Sequence, residues 1–172
     1  HHAATIAGSW YYALHGNVIE HKAIAFATGD ANGLHTHVHL TELFDGRTSE
    51  AKLHSTMQNI ATEGTTPTGE AIRYMVDTFF SDNLEERQVL FIITDGFPNS
   101  PVLAKEQCER AEALGIQVVV IGIFSHPSQL VRTRTWARSV IQAQSMDQLR
   151  TNMQKGLLQA VRAKSSDEVI SI

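Results

Sequence analysis

Two continuous apolar runs, residues 89–93 and 118–121, mark the second half of the chain. Each has the length of a strand and lacks polar alternation, which is typical of strands covered on both faces. Apolar residues at helical spacing predict a helix over residues 102–114, between the two runs, and a capping box opens a final helix after Ser145. Strands alternating with helices predict an α/β fold, a three-layer α/β/α sandwich around a mainly parallel sheet.

The first half of the chain is less regular. Helical spacing predicts a helix over residues 3–15, and strands are predicted over residues 18–27 and 36–40. Before the next helix, Thr66 is the predicted N-cap and Pro67 the first helical residue. These elements fit the same α/β class and extend the sheet towards the N-terminal half.

Composition fits a single globular domain. The chain has 172 residues, 42% of them hydrophobic, and we assign residues 1–163 to the domain and residues 164–172 to a polar C-terminal tail. A net charge of -4 argues against a nucleic-acid partner bound through a broad basic face. No apolar run approaches the roughly 20 residues that span a bilayer, so no membrane partner is expected. Cys108 is the single cysteine, and the N-terminus does not resemble a signal peptide, so we expect a cytoplasmic location.

Two loop segments carry the candidate chemistry. Asp95 and Gly96 follow the first apolar run, at the carboxyl end of a strand, where open parallel sheets bind their ligands. A carboxylate there can hold a hard cation, or it can simply cap the turn. The second segment, Gly-Thr-Thr-Pro-Thr-Gly at residues 64–69, brings hydroxyl groups to the start of a helix.

Together these segments resemble the von Willebrand factor A domain family. Its metal-ion-dependent adhesion site combines an Asp-x-Ser-x-Ser loop, a Gly-Gly-Thr-x-Thr-Gly loop and a Thr-Asp-Gly loop. Residues 64–69 are similar to the second loop, with Thr66 at the metal position, and Asp95 matches the acid of the third. The glycines that shape these loops are then Gly64, Gly69 and Gly96.

The resemblance spans about residues 3–163 but lacks one part of the family pattern. No Asp-x-Ser-x-Ser occurs in the chain. We therefore expect the first strand and first metal loop to lie before His1 or to come from another chain, which leaves a gap between the strands at 18–27 and 88–94. The apolar tail at residues 169–172 is short for a central strand.

The resemblance implies metal-mediated protein–protein recognition, not catalysis. Mg²⁺, or Mn²⁺ or Ca²⁺ in its place, would bind weakly to this chain because the first loop is absent, and a partner would complete the shell with a carboxylate. The loop sequences look closest to the bacterial and phage branch, including cobalt-chelatase-type subunits. In that branch such domains often work with an AAA+ ATPase, so the resemblance also implies an adaptor role with that class of partner.

A second function is compatible with a histidine cluster. His35, His37 and His39 alternate on a predicted strand, so their imidazoles would share one face. His-x-His is a transition-metal arrangement, which makes a Zn- or Mn-dependent hydrolase the alternative function. No acidic residue that could serve as a base stands close by in sequence, and polar side chains on an edge strand need no such role.

Overall fold

The computed structural model describes residues 8–12, 14, 20–29, 37–60, 64–80, 87–94, 97–124, 126–143, 145, 147, 148 and 151. Helix α1 is described at residues 8–12 and 14. The elements that follow are β1 Lys22–Thr28, β2 Val38–Asp45, α2 Glu50–Gln58, α3 Thr68–Thr78, β3 Gln88–Thr94, α4 Pro101–Ala113, β4 Ile116–Gly122, α5 Pro127–Thr133 and β5 Val140–Gln142. None of the helices in these ranges is long and apolar enough to cross a bilayer.

The strands form two hydrogen-bonded groups. β1 and β2 are antiparallel, with a shift in register between Ala23 and Ile24. β3, β4 and β5 form a parallel sheet in that order. Among the residues that the structure describes, no strand pairing joins the two groups.

The parallel sheet is covered on both faces. β4 is the most buried strand, because it lies between two others and both of its faces meet apolar side chains. On one face, Val118 and Val120 belong to a core cluster with residues of α3 and α4; on the other, Val119 and Ile121 pack near Trp10 of α1. Small residues on α4, such as Ala104, let that helix approach closely. The predicted three-layer α/β fold is confirmed.

The β1–β2 hairpin shares these core layers although it does not pair with β3. Ile24 and Phe26 of β1 pack against the core cluster that lies beneath α3 and α4. Ala23 and Ala25 belong to the opposite face, beside α1 and α2. Trp10 of α1 packs in the apolar clusters on both sides of this junction. The hairpin is therefore in the same layer as the parallel sheet.

Strand limits in the N-terminal half differ from the prediction. Glu20 and His21 lie outside β1, which begins at Lys22, and residues 15–19 lie outside the described residues. β2 continues to Asp45 instead of ending at residue 40, because pairing with β1 extends over its whole length. The predicted tail at 164–172 also falls outside the described part of the chain.

Two helix starts were wrong or missed. Thr66 is not the N-cap of α3: Pro67 occupies that position, and the N–H and C=O groups of Thr66 bond to Asn99 in a different loop. α5 was not predicted, although Pro127 begins it and His126 caps it, accepting a hydrogen bond from the Ser128 N–H. At the C-terminal end, the Ser145 hydroxyl accepts from the N–H of the residue three positions on, as the predicted capping box requires.

Candidate functional site

The loop that holds Thr65 and Thr66 is fastened to the carboxyl end of β1. The Thr65 N–H donates to Thr28 Oγ1 over 2.8 Å, and the two hydroxyl oxygens are 2.6 Å apart. The Thr28 N–H in turn donates to the Thr65 carbonyl over 3.2 Å. Thr28 is thus bonded to this loop through both its backbone and its side chain.

The same loop is fastened on its other side to the segment after β3. The Thr66 N–H donates to Asn99 Oδ1 over 2.7 Å, and the Asn99 N–H donates to the Thr66 carbonyl over 2.9 Å. This one loop therefore connects the carboxyl end of β1 with the segment that follows β3. We call this part of the molecule, formed by Thr28, Thr65, Thr66 and Asn99, the carboxyl edge.

Glycine is required at position 64 by the closeness of this loop to β1. Gly64 has a φ of +99°, and a Cβ there would lie 1.5 Å from the carbonyl oxygen of Thr28. Gly69 is needed for a different reason. A Cβ on it would lie 2.6 Å from Leu103 Cγ and 3.0 Å from the Ala104 nitrogen, so this glycine lets α3 pack against α4.

Oxygen atoms at the start of α3 are of the type that hard cations bind. Thr66 is half-buried, its backbone polar groups are both bonded, and no described residue bonds to its hydroxyl. Nearby in sequence, Thr68 Oγ1 and Glu70 Oε2 are buried without a hydrogen-bond partner in the described part of the chain. Hydroxyl and carboxylate oxygens are the ligands that Mg²⁺ and Ca²⁺ take in proteins. Asp95 and Gly96, the other predicted members, lie outside the described residues.

An aromatic residue and a cation form a pair close in sequence to Asn99. Phe97 follows the segment that carries Asp95, and 42% of its surface is exposed. The guanidinium carbon of Arg132, on α5, lies 5.7 Å from the centre of its ring. This pair gives the surface beside Asn99 both apolar area and positive charge.

The described part of the structure does not group the histidines of the hydrolase alternative into a metal-binding cluster. His37 and His39 are exposed, and His39 Nε2 donates to the Gly29 carbonyl over 2.8 Å. β2, which carries His39, is an edge strand of the hairpin. Within the described ranges, no three His, Cys, Asp or Glu residues are grouped so that they could hold a metal. His35 lies outside those ranges.

Two potential nucleophiles have structural roles. Cys108 is buried in the core on α4, and burial, reinforced by the nearby Glu112 and Glu109 carboxylates, raises the pKa of its thiol to about 12. Such a thiol stays protonated and packs as a small apolar side chain. Ser100 caps α4, its hydroxyl accepting from the Leu103 N–H over 3.2 Å.

Sequence comparison now defines the class of protein. The profile of the von Willebrand factor type A domain matches residues 23–155, and the chain belongs to this family. No curated protein sequence matches it significantly.

Solved structures agree on the fold. Proximal thread matrix protein 1 from the mussel byssus superposes with a TM-score of 0.63 at 15% identity, over 93% of this chain and 42% of that protein. The manganese-loaded TRAP protein of Plasmodium vivax superposes with a TM-score of 0.60 at 14% identity, over 87% of this chain and 62% of the TRAP chain. The mussel protein with a zinc-occupied MIDAS motif superposes with a TM-score of 0.59 at 17% identity, over 93% of this chain and 41% of that protein. The chain thus matches less than two thirds of each of these proteins.

Proposed function

We propose that this chain is a protein-recognition module that binds its partner through a divalent cation at the carboxyl edge, with Thr66 and Asp95 as ligands. The observation that carries the proposal is the double attachment of the Thr66 loop, to Thr28 on one side and to Asn99 on the other. This attachment orders the Thr66 backbone before any ligand arrives, so binding costs little loop entropy. Family membership supports the same function, since von Willebrand factor A domains are typically interaction modules and not enzymes.

We assign each residue of this site a role. The Thr66 hydroxyl supplies one oxygen ligand and Asp95 supplies a carboxylate. Asn99 is a positioning residue, which holds Thr66 by its backbone, and Gly64 allows the loop to approach β1. A bound divalent ion would supply positive charge and an open coordination position for an acidic side chain of the partner.

Two protein ligands leave most of the shell of a six-coordinate ion to water, so we expect weak binding by this chain. Relatives in fold take different metals: the TRAP structure is manganese-loaded and one structure of the mussel protein has zinc in its MIDAS motif. We therefore propose a divalent cation, with Mg²⁺ the first choice for an all-oxygen ligand set and Mn²⁺ a suitable probe.

An acidic protein segment is the partner chemistry that this site favours. Arg132, packed on the exposed Phe97 ring, adds positive charge and apolar area two residues before Asn99 in sequence. An AAA+ ATPase as that partner, and the cobalt-chelatase-type branch, stay predictions of the sequence resemblance.

Paramagnetic broadening by Mn²⁺ tests the site even when binding is weak. Titration into the ¹⁵N-labelled chain should broaden the amide signals of Thr65, Thr66 and Asn99 first. Thr66→Val, which replaces the hydroxyl with a methyl group, should abolish this pattern. Thr41→Val, on the exposed side of β2, is the matched control and should leave it unchanged. Broadening that persists in Thr66→Val, or that centres on His39, would contradict the proposal.

A further inference from the structure

Positive charge is concentrated in one part of this acidic chain. Residues 113–146 contain three arginines, no lysine and neither aspartate nor glutamate, so they carry a charge of +3. The other residues carry -7, which gives the chain its net charge of -4. A stretch that differs in sign from the rest of a protein can attract a partner of the opposite charge.

The three arginines lie in the segment that runs from α5 to β5. Arg132 is in the last turn of α5, and Arg134 and Arg138 follow it. All three are exposed, and 79% of the Arg138 side-chain surface is accessible. Val131, next to Arg132 on α5, is 65% exposed, so the segment presents apolar area together with its charge.

Buried neighbours hold this segment in a fixed conformation. Thr133, Trp136 and Ala137 are at most 5% exposed, and the last two belong to the core cluster beneath α3 and α4. The Ala137 N–H donates to the Thr133 carbonyl over 3.0 Å, and the Thr133 hydroxyl donates to the Gln129 carbonyl over 2.8 Å. The arginines are therefore carried by an ordered backbone, which a partner does not have to order on binding.

The contacts that the arginines make within the chain still allow them to bind a carboxylate. Arg138 Nη1 lies 3.5 Å from Glu112 Oε2, and a single ion pair at the surface adds little stability, so a partner can compete for it or share it. Arg132 lies over the Phe97 ring, and a guanidinium group stacked on an aromatic ring can still donate its N–H groups to a carboxylate.

An acidic polypeptide suits this segment better than a nucleic acid. Three arginines can neutralise at most about three phosphates, and the charge of -7 on the other residues repels a long polyanion. Glutamate and aspartate accept paired hydrogen bonds from arginine, and apolar residues beside them in a polypeptide can contact Val131.

We propose that Val131, Arg132, Arg134 and Arg138, which we call the arginine surface, dock a segment of acidic polypeptide that carries several carboxylates. This docking needs no metal and uses neither Thr66 nor Asp95. It therefore holds whether or not the carboxyl edge binds a cation.

Fluorescence anisotropy in the presence of EDTA tests this docking. The probe is a fluorescein-labelled peptide in which glutamates are separated by leucine and serine residues, and it is titrated with the full chain. We expect saturable binding that weakens at least about threefold between about 50 mM and 200 mM NaCl, because salt screens the attraction between carboxylate and guanidinium groups. The same peptide with glutamine in place of glutamate should not bind.

Two double variants of equal net charge locate the binding site. Arg134→Gln with Arg138→Gln should weaken peptide binding at least about tenfold. The matched control, Arg47→Gln with Arg73→Gln, removes the same charge from exposed arginines in other elements and should change the affinity less than about twofold. The thermal midpoint of both should stay within a few degrees of the parent value, and the Mn²⁺ broadening at Thr66 should be unchanged in the first.

Four results would overturn the proposal. Equal weakening in both double variants would mean that net charge alone drives binding. Binding that requires Mg²⁺ and disappears in EDTA would assign the peptide to the carboxyl edge. Tighter binding of a labelled oligothymidine of the same length would identify a nucleic acid as the ligand. No saturable binding of the glutamate peptide at low salt would show that the arginine surface docks no such segment.

Discussion

Replacing Gly64 with alanine is the most direct test of how the Thr66 loop is held. The new Cβ would lie 1.5 Å from the Thr28 carbonyl oxygen, at a φ of +99° that alanine rarely adopts. To reach ordinary contact the loop must retreat by about 2 Å, which takes the 2.8 Å bond from the Thr65 N–H to Thr28 Oγ1 beyond hydrogen-bonding distance.

The magnitude follows from what is lost. The two backbone-donated bonds between Thr28 and Thr65 are worth about 0.5–1.5 kcal/mol each. A positive φ costs a non-glycine residue roughly 1–2 kcal/mol. We therefore expect Gly64→Ala to lower the free energy of unfolding by about 2–5 kcal/mol. Urea denaturation followed by far-ultraviolet circular dichroism measures this change.

Gly46→Ala is the matched control. A Cβ at Gly46 would lie 3.7 Å from His21 Cε1, an ordinary contact, and its φ is not positive. Its free energy of unfolding should stay within about 1 kcal/mol of the parent value. A Gly64→Ala variant as stable as Gly46→Ala would refute the reasoning, because the loop would then move away from β1 without cost and Thr66 would not be held in place.

Three further outcomes follow from the same structure. Asn99→Ala should weaken the Mn²⁺ broadening at Thr66 several-fold, because the side-chain oxygen that accepts from the Thr66 N–H is removed. Asn99→Asp keeps an acceptor oxygen and should retain most of the broadening, so equal loss in both variants would contradict a positioning role. Cys108 should resist iodoacetamide in the native chain and react after unfolding. Because burial raises its pKa from 9.0 to about 12, the native state keeps a proton that the unfolded state loses, so the free energy of unfolding should fall as the pH rises from about 9 to 12. Phe97→Ala and Arg132→Ala should each weaken capture of an acidic partner by roughly 5–30-fold in surface plasmon resonance without lowering the thermal midpoint by more than a few degrees, and unchanged affinity would remove this pair from the recognition surface.

Local sequence signals predicted the parts of the fold that local physics decides. The apolar runs in β3 and β4 predicted packing on both faces, and the structure packs both faces of each strand, although Val89, Phe91 and Ile93 of β3 are only partly buried. The capping box at Ser145 depends on residues three positions apart, and its hydroxyl bond is present. β2 was predicted too short because its second half, which includes Leu43 and Phe44, is fixed by pairing with β1 across a register shift.

Long-range bonds explain what the sequence could not predict at the site. Thr66 has the residue type of an N-cap, yet its backbone is bonded to Asn99, which is 33 residues away. Thr28 has no feature in sequence that distinguishes it from other threonines, and its role depends on the folded position of Thr65, 37 residues away. Gly64 could be identified as a loop glycine from the sequence. The need for glycine there arises from the nearby carbonyl oxygen of Thr28, a contact that only the folded structure shows.

The double attachment of the Thr66 loop also couples the position of the Thr66 hydroxyl to the separation of the two strand groups. Since Thr28 belongs to the hairpin and Asn99 to the segment after β3, a change in the separation of the two sheets must move the Thr66 hydroxyl as well. Any ligand that favours one separation then alters affinity at the carboxyl edge, and reciprocity requires the edge ligand to alter the affinity of the first ligand by the same factor. The coupling free energy of the domain is then −RT ln α, where α is the factor by which either ligand changes the affinity of the other.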